Sequence, residues 1–193
     1  MKYFHAVLCL FLLTLLAACG PSNNLRLLPT PPPDIAVLPT PNAPRVTVVT
    51  FEDKRPDQTV IGTRRDKSAF VTTDNVAQWI SKGVADELAR NGLQLSYALN
   101  VDEARKGNPD YLITGQVDEA MLNETSTTDM ATVLRVSYVL ANRQKRILRE
   151  SLNATQSRTG LPSSSAADKL MQGTLKDLVS PMAKKIMQTI GIK

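Results

Sequence analysis

The first clear periodicity begins at Arg45. Val46 and Val48, with Thr47, Val49 and Phe51 beside them, form a β-branched run of strand length that is apolar on both faces from Val48 onward, which predicts a strand in the middle of a sheet. After a charged stretch, Val76, Ile80, Val84 and Leu88 recur every four residues beside Ala77, Trp79 and Ala85. This spacing predicts an amphipathic helix, entered at Thr73-Asp74 and closed by Gly92. Leu93 to Tyr97 reads as a short strand and VDEARKGNPD as a polar connector. In YLITGQVDEAML, Tyr111, Ile113, Gly115 and Val117 alternate with Thr114, Gln116 and Asp118, the mark of a strand with one wetter face. Residues 123–130 are too polar for an interior and read as a loop.

ATVLRVSYVLA and RILRESLNATQS, separated by Asn142 to Lys145, predict a long antiparallel hairpin. Leu134, Val136, Tyr138 and Leu140 would share its inner face, and Arg135 its outer face with Arg149 or Glu150 according to register. The last element has caps at Ser163 to Ser165 and an apolar stripe of Leu170 or Met171, Leu175, Leu178, Met182, Ile186 and Ile190. Pro181 should kink or divide it. Lys169, Lys176, Lys184 and Lys185 lie on its polar side. A lipid-binding helix is conceivable, but an uncovered sheet favours packing of the stripe against it. The expected fold is α+β: a mainly antiparallel sheet with two long helices packed on one face.

The stretch before Arg45 behaves differently. Residues 20–44 hold eight of the twelve prolines and no apolar period, so they predict a disordered, Pro-rich tether that spans about 75 Å when fully extended. Ahead of it, MKYFHAVLCLFLLTLLAACG has Lys2, an apolar stretch from Phe4 to Leu13 and small residues before Cys19. It is a secretory signal too short for a membrane span. Leu16-Ala17-Ala18-Cys19 resembles the bacterial lipobox, which implies cleavage before Cys19 and acylation of its thiol. The predicted division is therefore a signal peptide over 1–18, a lipidated cysteine and tether over 19–44, and one α+β periplasmic domain over 45–193.

Cleavage there changes the chemistry available. It removes the single histidine, His5, and Cys9, one of two cysteines. Without them a Ser-His-Asp or Cys-His mechanism is excluded, no transition-metal site or cofactor is implied, and only carboxylates remain for a hard cation. The formal charge of +5 is mildly basic. It suits anionic lipid heads or a partner protein, while export makes nucleic acid an unsuitable partner.

Candidate chemistry concentrates in FEDKRPDQTVIGTRRD. Asp53 and Asp57 could act as paired carboxylates with Arg55, Arg64 or Arg65 clamping an anion, as in a hydrolase of the glycosidase kind. The stretch lacks a nucleophile with an adjacent base and a glycine-rich phosphate loop, so no catalytic residue is assigned. A turn fixed by Pro56, in which the aspartates accept backbone and Arg55 hydrogen bonds, is favoured, with recognition by the arginines between the two. A second basic group, Arg135, Arg143, Lys145 and Arg146, is either a docking surface or an ordinary solvated hairpin.

Asp53-Lys54-Arg55-Pro56-Asp57-Gln58, then Arg65-Asp66, a helix ending at Asn91-Gly92 and a strand at Asp110-Tyr111-Leu112-Ile113 are similar in order and spacing to the YajG family of bacterial outer-membrane lipoproteins. That resemblance runs from about Val46 to the final helix. It implies a non-enzymatic lipoprotein and carries no catalytic residues across. The layout of Pro-rich tether and small α+β domain also resembles LpoB, which activates a peptidoglycan synthase, and assembly lipoproteins of the CsgG kind. Gly20 is not the aspartate that typically retains lipoproteins at the inner membrane, so the resemblance implies an outer-membrane anchor with the domain facing the periplasm. The partner would be an envelope protein or peptidoglycan, with assembly of identical subunits left open.

Overall fold

The computed structural model describes residues 23–32, 38–39 and 41–192. Among these, one sheet contains β1 (Arg45–Val49), β2 (Glu52–Asp53), β3 (Val60–Thr63), β4 (Ala69–Val71), β5 (Gln94–Ala98), β6 (Tyr111–Glu124), β7 (Asp129–Asn142) and β8 (Arg146–Thr159). The helices are α1 (Val76–Arg90), α2 (Val101–Lys106) and α3 (Ser164–Thr189). The predicted signal peptide, residues 1–18, and the predicted lipidation site Cys19 lie outside the described residues.

The sheet is built around β6, β7 and β8, three antiparallel strands of 14 residues each. On the other side of β6 the pairing is parallel: β1 joins it over Val46–Val48, and β5 joins β1. Parallel neighbours need a crossover connection, and the chain between β1 and β5 supplies one through α1. Register settles the hairpin faces. Val139 opposes Arg149, and Tyr138 opposes Glu150. Arg149 therefore shares the outer face with Arg135, while Glu150 lies inward, where its Oε2 accepts the Tyr138 hydroxyl at 2.7 Å.

Helices α1 and α3 pack against each other and on one face of this sheet. Their stripes bury Ile80, Val84 and Leu88 from α1 and Met171, Leu175, Leu178, Met182 and Ile186 from α3, against Ile113, Val117, Leu134, Val136 and Leu140. The double-sided apolarity of β1 has a separate cause. Val49 joins Ala98 and Ala104 in a small second cluster beneath α2, with Val101 and Leu112 packed on it.

Four expectations need correction. The connector before β6 contains α2, capped by Asn100, whose side chain accepts the Glu103 amide at 2.9 Å. The cap of α1 is Asn75, accepting from the Gln78 amide at 2.8 Å, because the Asp74 carboxylate is engaged with the Leu27 amide instead. The predicted loop shrinks to residues 125–128, since β6 continues to Glu124 through a bulge between Val117 and Glu119. The extra residue reverses the inward parity, from Ile113 and Val117 before it to Ala120 and Leu122 after it. Finally, α3 is not divided at Pro181 but runs as one helix from Ser164 to Thr189. Pro181 and Asp177, whose carbonyl loses its partner, both lie on the exposed side, where water can replace the missing donor.

The predicted tether is also shorter than residues 20–44. Asn23–Pro32 packs on the domain as a strap: Leu25 and Leu27 are buried, and Leu25 N–H and Asn23 C=O bond to Val71 at 2.8 and 2.9 Å. Further along, the Leu27 amide donates to Asp74 at 2.8 Å and Trp79 Nε1–H to the Leu28 carbonyl at 2.8 Å. Arg90 reaches the Thr30 hydroxyl at 3.0 Å.

Candidate functional site

The charged stretch after β1 folds around one guanidinium. β2 ends at Asp53, where the chain leaves the sheet, and Pro56 three residues later fixes the turn. Within it Arg55 grips Asp53 with both edges, Nε to Oδ1 at 2.9 Å and Nη2 to Oδ2 at 2.8 Å. The remaining donors reach the Val60 carbonyl at 2.9 Å and the Gln58 carbonyl at 2.8 Å. The Arg55 and Asp53 side chains are only 4% and 9% exposed, so little of the guanidinium faces an incoming anion. Asp57 accepts the Thr59 hydroxyl, the Thr59 amide and the Val60 amide. These bonds hold its carboxyl below the ordinary range, the hydroxyl bond contributing most. Each aspartate is committed to its own piece of turn.

Arg64 and Arg65 belong to a second turn, between β3 and β4. Arg64 pairs with Glu124 at 3.0 Å, lies over the Phe70 ring and donates to Asn23 Oδ1 at 2.7 Å. The Arg65 amide donates to Glu124 at 3.3 Å, and its side chain is exposed. β3 reaches this turn through Gly62, whose φ is +156°. A Cβ there would lie 1.8 Å from the Leu122 carbonyl oxygen, so only glycine lets β3 approach β6. The five candidates of the charged stretch thus divide into two sites: Asp53, Arg55 and Asp57 beside β2, and Arg64 with Arg65 at the end of β3.

The basic hairpin candidates also separate. Arg143, Lys145 and Arg146 meet at the β7–β8 turn, where Arg143 bonds Asp110 at 2.9 Å and Lys145 and Arg146 are exposed. Arg135 lies eight residues back along β7, about 26 Å away at strand rise, paired with Glu119 at 3.1 Å. Three of the four can contact one partner at the hairpin tip.

Sequence reasoning missed a cleft of about 640 Å³ between the C-terminal ends of α1 and α3, lined by Glu87, Asn91, Ser180, Lys184, Met187 and Gln188. Glu87 is fixed there by Arg90 at 3.2 Å and by the Ser180 hydroxyl at 3.0 Å. No motif marks it, because its walls come from helix ends that are far apart in sequence. Among the described residues, no group of three His, Cys, Asp or Glu side chains is placed to hold a metal ion, and no helix is long and apolar enough to cross a membrane.

No family model and no curated protein matches the chain. Solved structures do. Protein XCC0632 from Xanthomonas campestris, described with the family-model DUF330, superposes with a TM-score of 0.55 at 11% identity, covering 83% of this chain and 95% of that one. The two share a fold. A PelC dodecamer from Paraburkholderia phytofirmans gives a TM-score of 0.48 at 16% identity, covering 87% and 96% of the two chains. Lipoprotein GNA1162 from Neisseria meningitidis gives 0.43 at 17%, covering 75% and 99%. The likeness to XCC0632 concerns fold alone, and roles for individual residues rest on this chain's own geometry.

Proposed function

We propose that this protein is a lipid-anchored lipoprotein of the bacterial envelope, held at the outer membrane by acylated Cys19, whose domain docks an envelope partner and performs no catalysis. Leu16-Ala17-Ala18-Cys19, following a short apolar core, carries the reading. The geometry supports the non-enzymatic part: the carboxylates and guanidinium that could have formed an active site after β1 are bonded to one another and to their own turn. The docking end is the one formed by the β7–β8 turn, with Arg143, Lys145 and Arg146, and by the cleft between the ends of α1 and α3. The order of motifs remains similar to the YajG lipoproteins.

Two measurements test this. Intact mass of the protein extracted from membranes should show a chain beginning at Cys19 with three acyl chains, and Cys19→Ala should accumulate as precursor or appear in the soluble periplasmic fraction. Full processing and membrane retention of Cys19→Ala would refute the anchor. A photo-cross-linking residue at position 145 should trap an envelope component in intact cells that the same residue at exposed position 155 does not. Equal yields at both positions would refute the docking end.

A further inference from the structure

The strap fixes which end of the domain lies nearest to Cys19. Asn24 pairs with Val71 in parallel, and β4 runs antiparallel to β3, which is itself parallel to β6. The strap therefore runs away from the Glu124 end of β6, and its first described residue, Asn23, lies at that end. Asn23 is fastened there through its side chain as well, accepting from Arg64 at 2.7 Å while Arg64 holds Glu124. From Cys19 to Asn23 is four residues, a reach of at most about 14 Å. β6, β7 and β8, at 14 residues each, separate the two ends of the sheet by about 45 Å. An anchor on Cys19 cannot reach the far end.

What the near end presents is suited to a bilayer. The β3–β4 turn exposes Arg65 and Lys67, and the link between β8 and α3, at the same end because Asp129 opposes Thr159, exposes Leu161 at 83%. Arg26 and Arg158 are exposed nearby. The carboxylates of this end are hydrogen-bonded within the protein, Asp66 to the Ser68 amide and hydroxyl, Asp129 to Ser126 and Thr159, Asp168 to the Arg26 amide, and Glu124 is paired with Arg64; they keep their charge, but the exposed Arg26, Arg65, Lys67 and Arg158 outnumber the three that have no paired cation. Basic side chains around a bare leucine match a surface of anionic headgroups over an apolar interior.

We infer that the β3–β4 turn and Leu161 form a membrane-contact face that seats the domain on an anionic phospholipid bilayer, with the β7–β8 turn and the α1–α3 cleft pointing away from it. The inference rests on the anchoring of Cys19 proposed above.

The mature chain's one cysteine would be acylated, so an introduced cysteine can be labelled uniquely. Lipidated full-length protein carrying a polarity-sensitive fluorophore at Leu161→Cys, Lys67→Cys or Lys145→Cys is reconstituted into vesicles of phosphatidylethanolamine and phosphatidylglycerol, with and without brominated acyl chains. Labels at 161 and 67 should lose most of their emission to the brominated lipid, and the label at 145 none. Replacing phosphatidylglycerol with phosphatidylcholine, or making Arg65→Glu with Lys67→Glu, should reduce quenching at 161. Quenching at 145 equal to or above that at 161 would overturn the orientation while leaving the anchor intact. Failure of the wild-type protein to float with vesicles would overturn both.

Discussion

Arg55→Gln should be the most damaging polar substitution in the domain's first turn, and its cost can be worked out from what is left behind. The change removes both contacts to Asp53 and strands the Gln58 and Val60 carbonyls, leaving a carboxylate 9% exposed with only the Arg55 amide at 3.1 Å. Removing one partner of a buried pair typically costs 3–5 kcal/mol, so about 4 kcal/mol is expected. Asp53→Asn leaves Arg55 its two carbonyls and should cost about 3 kcal/mol. The double variant should cost about 5 kcal/mol, less than the sum of its parts, giving a coupling of about 2 kcal/mol. Against a total stability on the order of 10 kcal/mol, each shift is large. Urea denaturation of a soluble form lacking the signal and Cys19, followed by circular dichroism, measures all four states. Coupling below about 0.5 kcal/mol would refute the reasoning, and single costs under about 1 kcal/mol would show that the pair is solvated and open to a ligand.

Leu25→Ala and Leu27→Ala should each cost about 2–3 kcal/mol and speed proteolysis between residues 23 and 32, since both leucines are buried against the domain; unchanged urea midpoints would mean that the strap contributes no stability. Acid should destabilise the fold through Asp57, Asp66 and Asp129, whose carboxyls are held below their ordinary value of 3.8, chiefly by hydroxyl bonds from Thr59, Ser68 and Ser126 respectively. A lowered folded-state value means that the unfolded chain binds more protons, so this stability is present above about pH 4 and is lost as pH falls through the folded-state values. Urea midpoints between pH 5 and 2.5 should decline less steeply in Asp57→Asn. Pro181→Ala restores a donor for the Asp177 carbonyl in an unbroken helix and should raise stability by about 2 kcal/mol, read as a higher Tm; a lower Tm would show that the proline ring packs usefully.

Periodic elements with one buried face were legible. The four-residue recurrence of α1, the alternation of β7 and the stripe of α3 each report a single partner surface, whereas the register of β8 on β7, which puts Arg149 and not Glu150 on the outer face, comes from the strand pairing itself. The misreadings have local causes. Helix α2 buries Ala104 alone, too little for a period, although Asn100-Val-Asp-Glu103 has the spacing of an N-terminal cap: Asn100 accepts the Glu103 amide at 2.9 Å, and Glu103 reaches back past it to accept the Leu99 amide at 2.8 Å. The β6 bulge is invisible because alternation resumes on either side of Asp118 with inverted parity. Of the candidate site, the turn-forming role of Asp53, Arg55 and Asp57 could be weighed from Pro56 and the spacing of charge. The separation of Arg64 and Arg65 from them depends on β3 pairing with β6, across about 60 residues.

The strap shows why composition misleads at the N-terminus. Its prolines supply no periodicity, and its two buried leucines are separated by an exposed arginine, so nothing local distinguishes Asn23–Pro32 from a solvated chain. Its partners come from distant elements: Val71 in β4, Asp74 before α1, Trp79 and Arg90 in α1, and Gln172 in α3, whose amide donates to the Pro29 carbonyl. Those contacts convert residues 23–32 from spacer into part of the domain and leave three residues between Cys19 and Asn23. Were the strap released, the free connection would run from Cys19 to Arg45, about 80 Å if fully extended; with it docked the reach is about 14 Å. With Cys19 anchored as proposed, fastening the strap sets how far the domain can stray from the membrane, and the side chains that do so, Asp74, Trp79, Arg90 and Gln172, are ones that no motif singles out.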